Sequence, residues 1–303
     1  MTIDSSLQAP RIYLVRVFCS PDQRNGGNPA PIVLQADGMT PEDMRRIAAR
    51  SGHESGFVFR PQDTDCQFQM RYFVPNHEME MCGHATVGAL WLLRQKQLWD
   101  GQPINIQTLS GKVKARELDG TIEISQPAAI MVELDATQVI HIADALNVPL
   151  EIIRTPVINA STSRVKTLVR MSSLDALRRL QPRLNAIQSV CESIGSTGLY
   201  PFAEVDVEHR VFEARQFPKS SGYPEDAATG IAATALSFGL RKIGLVSQQA
   251  SRLCIRQGFS MGSPSEIHVQ LPDANLPLAE CWLSGRVCLE NEFTLNEAAD
   301  DKC

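Results

Sequence analysis

The chain has 303 residues, with 29 basic and 34 acidic side chains and a net charge of −5. This length fits two domains of the usual size, about 150 residues each, and the acidic balance excludes a strongly basic surface for nucleic-acid phosphates. Because the first residues form neither a positively charged leader nor an apolar stretch, and no window approaches the roughly 20 apolar residues that span a bilayer, we expect a cytoplasmic protein without membrane contact.

The first elements predicted along the chain are two strands and a helix. Residues 12–19 alternate apolar and polar side chains, which is typical of a strand, and residues 30–34 form the next strand. Thr40-Pro-Glu-Asp43 places a capping threonine before a proline and two acids, so a helix should begin there, run to about Arg50 and end at Gly52. Further strands are predicted at residues 57–59 and 66–74.

One passage of the chain then occurs twice. The first copy is Arg71-Tyr-Phe-Val-Pro-Asn-His-Glu-Met-Glu-Met-Cys-Gly-His-Ala-Thr-Val-Gly-Ala-Leu90, and the second is Arg215-Gln-Phe-Pro-Lys-Ser-Ser-Gly-Tyr-Pro-Glu-Asp-Ala-Ala-Thr-Gly-Ile-Ala-Ala-Thr-Ala-Leu236. In each copy, Arg-x-Phe leads through a polar loop to a glycine, Gly83 or Gly230, and then to small and apolar residues at helical spacing. The repeat predicts two copies of one fold, with helices from about residue 84 to 95 and from about 231 to 243.

The glycines that begin these two helices indicate an anion-binding site. A helix start leaves backbone N–H groups unpaired and carries a partial positive charge of roughly half a unit. Glycine also lets the backbone come close to a ligand. Two such starts that face one cleft would hold an anion, so the expected ligand is a small carboxylate.

The remaining elements complete two halves of the chain. Short strands are predicted at residues 104–108, 112–117 and 121–125, and helices at 137–146 and 173–193, the second interrupted at Pro182. We predict an N-terminal domain of residues 1–127 and a C-terminal domain of residues 128–290. The tail from about residue 291 to 303 is expected to pack with the first domain.

Three polar residues in turns are candidates for chemistry. They are Glu54 in Ser51-Gly-His-Glu-Ser-Gly-Phe57, His84 in Cys82-Gly-His84, and Asp226 in Pro224-Glu-Asp226. Each also has a purely structural explanation. Glu54 fits a solvated turn residue, His84 a helix cap, and Asp226 an acid that the helix dipole favours.

Five segments carry a family resemblance: Gly27-Asn-Pro-Ala30, the Glu54 turn with Phe57-Val58, Glu80-Met-Cys-Gly-His-Ala-Thr-Val-Gly88, Glu225-Asp-Ala-Ala-Thr-Gly230 and Gln257-Gly-Phe-Ser-Met-Gly-Ser-Pro-Ser265. Together and in this order they resemble the phenazine-biosynthesis isomerase (PhzF-like) family over nearly the whole chain. The resemblance implies the diaminopimelate-epimerase fold of class α+β. That fold has two pseudo-symmetric domains, each a mixed β-barrel-like sheet wrapped around one central helix, with the active site between them. It also implies a homodimer.

The resemblance assigns roles to the candidate residues. It implies that Glu54 carries a proton between carbons of a small unsaturated amino acid, that His84 and Asp226 hold the substrate, and that no cofactor takes part. The chemistry is compatible, because a glutamate that takes a proton from carbon should lie partly desolvated. The N–H groups at the two helix starts would stabilise the negative charge that develops. The predicted substrate-binding set is His53, Cys82, Gly83, Thr229, Gly230 and Ile231.

Two features depart from the family pattern. Family members commonly have Ser-Glu-Thr where this chain has His53-Glu54-Ser55, which argues against phenazine synthesis itself. Related amino-acid epimerases use two cysteines; Cys82 stands at the first position, but Ala227-Ala-Thr-Gly230 carries no thiol at the second. A two-thiol racemase is therefore disfavoured. Cys82 fits either a reactive thiol at a helix start or, as for most lone cysteines, a small apolar residue.

The sequence predicts neither a metal nor a nucleotide. His77, Cys82 and His84 match no common zinc spacing, and no glycine motif for phosphates follows a strand. The expected function is a cofactor-independent isomerase that acts on a small carboxylate-bearing, amino-acid-like metabolite in a biosynthetic pathway. The alternatives are a dehydratase, cyclase or epimerase with the same general base, and a non-catalytic protein that binds small acids.

Overall fold

A computed structural model describes residues 10–21, 26–276 and 279–294. Contacts between residues divide this part of the chain into two units. The first unit contains residues 10–17, 29–114 and 287–294, and the second contains residues 18–21, 26–28, 115–276 and 279–286. One of the points at which the chain passes between the units, after Lys114, lies inside a strand. The domain boundary predicted after residue 127 stays a prediction, and residues 295–303 of the tail lie outside the described residues.

The first unit is built on a mixed sheet. Strand β1 pairs antiparallel with β18, β2 pairs parallel with β3, and β4 pairs antiparallel with β3 and parallel with β6. Its elements are β1 (Arg11–Val17), β2 (Asn28–Val33), α1 (Pro41–Ser51), β3 (Ser55–Phe59), β4 (Phe68–Phe73), β5 (Glu78–Met79), α2 (Gly83–Gln95), β6 (Ile104–Thr108), the start of β7 (Gly111–Leu118), and β18 (Val287–Thr294).

Helix α1 forms as its sequence predicts. The Thr40 side chain accepts a hydrogen bond from the Asp43 backbone N–H, and the Asp43 carboxylate accepts one from the Thr40 N–H, so the two residues form a capping box. Gly52 ends the helix in the left-handed region at φ 68°, where a residue with a Cβ is strained. The backbone conformation at the beginning of the Glu54 turn is therefore fixed.

Helix α2 is the central element of the first unit. Ten of its thirteen residues are buried, as expected for a helix that strands cover. Gly88 lies against β1, because a Cβ at this position would come 2.8 Å from Val15 Cγ2. Gly56 of β3 is similarly close to the start of the helix, since its Cβ would lie 3.3 Å from the Ala85 Cβ. Small residues therefore bring the Glu54 turn next to the start of α2.

The second unit is also a mixed sheet. Its parallel pairs are β11 with β12 and β13 with β15, and most of its other pairs are antiparallel. Its elements are the end of β7, β8 (Thr121–Gln126), β9 (Ile130–Glu133), α3 (Ala136–Leu146), β10 (Ile153–Ser161), β11 (Val165–Met171), α4 (Leu174–Arg178), α5 (Leu184–Ser193), β12 (Gly198–Asp206), β13 (Val211–Ala214), β14 (Phe217–Pro218), α6 (Gly230–Lys242), β15 (Arg252–Gln257), β16 (Ser265–Gln270) and β17 (Cys281–Ser284).

Helix α6 is the counterpart of α2 in the second unit. Both helices have thirteen residues and begin at the glycine of the sequence repeat, and α6 buries its first twelve residues. A Cβ at Gly230 would come 2.6 Å from Leu283 Cδ2, so this helix also meets its sheet through a glycine. The predicted helix over residues 173–193 consists of α4 and α5, with its break at the predicted proline.

These observations confirm the α+β fold class predicted from the sequence. Each unit, taken by itself, holds one buried helix against a mixed sheet. Within the described residues, no helix has the length and apolar character needed to cross a membrane.

Candidate active site

Glu54 lies in the short turn between α1 and β3. Its side chain is only 14% exposed, so it is not a solvated turn residue. The Ser55 hydroxyl donates to the His53 carbonyl at 3.1 Å and fixes the turn from within. The partial desolvation that the sequence predicts for Glu54 is therefore present.

Glu54 forms a compact cluster with two residues at the start of α2. The Cys82 thiol donates to Glu54 Oε2 at 3.1 Å, and His84 Nδ1 lies 3.3 Å from Cys82 Sγ. His84 Nδ1 is 3.7 Å from Glu54 Oε2, and the His84 side chain is 5% exposed. The turn before β3 and the start of α2 thus bring together three of the predicted site residues.

The direction of the thiol hydrogen bond determines which histidine tautomer fits this cluster. If the thiol gives its proton to Glu54, His84 Nδ1 is the donor to the sulfur, and Nε2 is left as an acceptor. His84 Nε2 is buried, and within the described part of the chain it has no hydrogen-bond partner. His84 is not a helix cap, because α2 is capped by no side chain and its N-cap residue is Cys82.

His53, which stands where family members carry serine, is half-buried beside this cluster. Burial lowers the pKa of His53, and the neighbouring His84 and Arg16 lower it further, while Glu290 acts in the opposite sense. Because an ordinary histidine titrates near pH 6.5, His53 is a neutral imidazole at neutral pH. It adds no positive charge next to Glu54.

Asp226 is held by hydrogen bonds within the second unit. Asn28 Nδ2 donates to its Oδ1 at 2.8 Å, and the Thr229 hydroxyl donates to its Oδ2 at 2.6 Å. Gln257 bonds to the same loop, because its Nε2 donates to the Asp226 carbonyl at 2.6 Å and its Oε1 accepts from the Thr229 N–H at 3.2 Å. Asp226 therefore organises the loop before α6. Its position is fixed by specific hydrogen bonds and not by the helix dipole alone.

The N-cap residues of α2 and α6 behave alike. Neither Cys82 nor Thr229 caps its helix with its side chain. Each donates instead to an acid, Cys82 to Glu54 and Thr229 to Asp226. The first-turn N–H groups that begin at Gly83 and Gly230, among them that of Ile231, therefore receive no side-chain acceptor from the N-cap residue.

An arginine clamp holds the loop that leads to α2. Arg71 donates to Glu78 through Nε at 2.6 Å and through Nη2 at 2.7 Å. The guanidinium carbon also stands 5.3 Å from the centre of the Phe73 ring. This pair joins β4 to β5, and β5 ends at Met79, shortly before Cys82.

The same clamp holds the loop that leads to α6. Arg215 donates to Glu225 through Nε at 2.9 Å and through Nη2 at 2.8 Å, and it stands 5.0 Å from the centre of the Phe217 ring. In both copies of the repeat, the arginine of Arg-x-Phe thus forms an ion pair with a glutamate and packs over the ring of the phenylalanine. Both acids come shortly before the helix start that each loop presents.

Sequence reasoning missed the residues that hold the loops. Asn28 and Gln257 lie in segments that carried the family resemblance, but they were given no role. Glu78 and Glu225 were missed because they stand 7 and 10 residues after their arginines, so an alignment of the two copies does not pair them. The repeated arginine was the signal that could have led to both acids.

Among the residues that the structure describes, two groups of side chains have donor atoms suited to a metal ion. In the first unit they are Glu54, Cys82 and His84, whose ligand atoms lie within 4.8 Å of one another. In the second unit they are Cys254, Glu266 and His268. The zinc ligands considered from the sequence were His77, Cys82 and His84. In the structure, Cys82 and His84 are grouped with Glu54 and not with His77.

Comparisons with known proteins agree with this fold. The family described as Phenazine biosynthesis-like protein matches residues 15–280. Uncharacterized isomerase YfhB of Bacillus subtilis (strain 168) is 31% identical over 261 residues, which cover 82% of this chain and 86% of that protein. The Bacillus anthracis phenazine biosynthesis protein of the PhzF family superposes with a TM-score of 0.84 at 25% identity and covers 95% of this chain and 99% of its own.

A more distant structure shares the fold alone. A hydroxyproline epimerase from Agrobacterium vitis superposes with a TM-score of 0.64 at 11% identity, over 94% of this chain and 90% of its own. The match of the family to most of the chain, and the curated relative named an isomerase, decide the assignment. The chain therefore belongs to the phenazine biosynthesis-like protein family, a family of PhzF-like isomerases with this mixed α+β fold.

Proposed function

We propose that the protein is a cofactor-independent isomerase that moves a proton between carbons of a small carboxylate-bearing, amino-acid-like metabolite. Glu54 acts as both acid and base in this proposal, and the protein works as a homodimer in a biosynthetic pathway. The observation that carries the proposal is the Glu54 carboxylate itself, which is 14% exposed and lies 3.1 Å from a thiol at the start of a buried helix. A carboxylate in such surroundings is suited to take a proton from carbon.

The neighbours of Glu54 support proton transfer at a defined atom. The bond from Cys82 fixes the orientation of Glu54 Oε2. In the forward step, the carboxylate takes a proton from one carbon, and the electron pair of the broken C–H bond delocalises into the substrate. In the return step, the carboxyl group, whose O–H proton exchanges with solvent, gives a proton to another carbon and the carboxylate is restored. The N–H groups after Gly83 would stabilise the negative charge between these steps.

Asp226 and the second helix start have a substrate-holding role in this proposal. Asp226 accepts from Asn28 and Thr229 through one oxygen each, so its carboxylate is held in a fixed orientation. It would accept a further hydrogen bond from an amino or hydroxyl group of the substrate. His84 would also contact the substrate, as the family resemblance implies.

The test is proton exchange at carbon in deuterated water, followed by NMR over a panel of small amino acids and unsaturated carboxylates. Glu54→Gln keeps the shape of the side chain but removes the base, so we expect a normally folded protein with exchange lowered by at least about 100-fold. Glu133→Gln, which changes an exposed glutamate on β9, is the matched control and should keep full exchange. Retained exchange in Glu54→Gln refutes the assigned role.

The same spectra separate the alternative functions. Isomerisation and epimerisation leave the composition of the substrate unchanged except for deuterium, whereas dehydration loses water. A two-thiol epimerase is disfavoured further, because the residue of the second unit that corresponds to Cys82 is Thr229, whose hydroxyl already donates to Asp226. Binding of panel members without any exchange would favour a non-catalytic small-acid-binding protein.

A further inference from the structure

Glu54, Cys82 and His84 offer three different ligand atoms at short mutual distances. Cys82 Sγ lies 3.1 Å from Glu54 Oε2 and 3.3 Å from His84 Nδ1, and the oxygen and the nitrogen are 3.7 Å apart. Cys82 is 2% exposed. Cys82 is the N-cap residue of a thirteen-residue helix and His84 lies in the first turn of that helix, so their relative position is rigid.

These distances fit three corners of a tetrahedral zinc site. Zinc binds sulfur at about 2.3 Å and nitrogen or oxygen at about 2.0–2.2 Å, and tetrahedral angles then separate neighbouring ligand atoms by about 3.4–3.6 Å. The three distances observed lie within about 0.5 Å of this range. An ion at the centre would need only small movements of the side chains.

The charges of the three groups also match a divalent cation. A thiolate and a carboxylate together carry two negative charges, and a neutral imidazole adds none. Binding therefore leaves no net charge in a buried place, where an uncompensated charge is costly. Thiolate and imidazole ligands favour zinc, cadmium and cobalt over magnesium and calcium, which prefer oxygen.

We propose that Glu54, Cys82 and His84 bind one zinc-class divalent cation, which blocks the proton transfer proposed for Glu54. On binding, the Cys82 S–H bond breaks, its proton passes to solvent and a metal–sulfur bond forms, so no oxidant or reductant is needed. The ion occupies Glu54 Oε2 and is an inhibitor in this proposal. Only the blocking step rests on the proposed function, because binding of the metal does not require turnover.

The other group of possible ligands provides a contrast within the chain. Glu266 is already paired with Arg256, whose Nε lies 3.1 Å from Glu266 Oε1, and His268 is exposed. Binding a cation there would require this ion pair to break. Cys254 is therefore a matched control for Cys82.

The test is a titration of chelator-treated, tag-free protein with Co²⁺. We expect one equivalent of Co²⁺ to give a thiolate-to-cobalt charge-transfer band and the absorption of a tetrahedral ion, and Zn²⁺ to displace it while Mg²⁺ does not. Cys82→Ser should lose the band, and Cys254→Ser should keep it. Absence of the band in the wild type, or its persistence in Cys82→Ser, overturns the proposal.

Further variants keep the test decisive if Cys82→Ser does not fold. Glu54→Gln and His84→Gln keep the thiol, so they should keep a cobalt–sulfur band. Each variant loses a direct ligand, so its affinity for Co²⁺ should fall by more than the roughly 10–100-fold that follows removal of an outer partner of a metal ligand. Unchanged Co²⁺ affinity in both variants contradicts the proposed site. Circular dichroism of each variant establishes that it is folded.

The blocking step is tested separately. Zn²⁺ should stop proton exchange by the wild type, and chelator should restore it. Binding of Co²⁺ and Zn²⁺ without inhibition overturns the blocking step. If no panel member exchanges even with chelator, the proposed function fails, whereas the cobalt titration still decides whether the metal site exists.

Discussion

Replacing the glutamates of the two arginine clamps should have unequal effects. In the second unit, Arg215 and Glu225 are 10% and 12% exposed, whereas Arg71 and Glu78 of the first unit are 24% and 23% exposed. Glu225→Gln and Glu78→Gln each remove a charge and leave an arginine without its bidentate partner. The loss in free energy of unfolding should be larger for the variant that leaves the more deeply buried arginine, Arg215, without its partner.

The structure sets the size of each effect. Removing one partner of a buried ion pair costs about 3–5 kcal/mol, because the remaining charge has no compensation. For Glu225→Gln we expect the lower end, about 3 kcal/mol, because Arg215 keeps its hydrogen bonds to the carbonyls of Leu177 and Leu180. The pair of Arg71 and Glu78 is partly exposed, so water reaches it. Its loss should lie between that of a buried pair and the roughly 1 kcal/mol or less of an exposed pair, and for Glu78→Gln we expect about 1–2 kcal/mol.

Urea unfolding measures the change in free energy, and hydrogen–deuterium exchange followed by mass spectrometry measures where it acts. Glu225→Gln should speed exchange in residues 215–230 and leave residues 71–83 unchanged. Asp175→Asn, which breaks the exposed pair with Arg179, is the control and should cost less than about 1 kcal/mol. A larger loss of stability in Glu78→Gln than in Glu225→Gln would refute the reasoning from burial.

Three further predictions concern packing, pH and the loop before α6. Gly88→Ala gains about 1 kcal/mol of helix propensity but drives a Cβ to 2.8 Å from Val15, and overpacking costs about 1–3 kcal/mol; urea unfolding should show net destabilisation, and a stabilised variant would contradict the close contact. Burial lowers the pKa of His53, so the unfolded state binds more protons below the ordinary pKa of the imidazole. The stability is therefore present above the unfolded pKa and is lost as the pH falls from that value through the folded pKa. His53→Gln should reduce the stability lost between about pH 8 and pH 5.5, and an identical pH profile would count against burial as the cause. Asn28→Ala removes donors to Asp226 and to a backbone carbonyl, which should cost about 2 kcal/mol in urea unfolding, whereas no change would show that the loop is held without it.

The local elements of the fold could be predicted because short-range sequence determines them. Thr40-Pro-Glu-Asp43 contains every group of the capping box that begins α1, and Gly52 supplies the left-handed residue that ends it. The repeated glycines marked the starts of both buried helices. In each case the interacting groups stand within a few residues of one another, so composition and spacing were enough.

The arrangement of the candidate site could not be predicted in the same way. Glu54 and Cys82 are 28 residues apart, and Asn28 and Asp226 are 198 apart, so only the packing of sheet against helix brings them together. The contact of Gly56 with Ala85 that seats Glu54 is formed by small residues, which leave no periodic signal. Sequence spacing rejected a metal site for the same reason, since one ligand comes from a different element.

The side chains at the two helix starts connect the fold to the proposed ligand. Threonine at an N-cap usually accepts a hydrogen bond from the first turn, and losing such a cap costs about 1 kcal/mol. Thr229 gives its hydroxyl to Asp226 instead, and Cys82 gives its thiol to Glu54. Each unit therefore lacks the hydrogen bond between its N-cap side chain and the first turn. That side chain instead holds an acid beside the first-turn N–H groups. A helix start that its own side chain leaves uncapped favours an external anion, and an acid fixed beside it is suited to chemistry on that anion. The same two departures from ordinary capping thus account for both parts of the proposal, the carboxylate of the substrate and the carboxylate that acts on it.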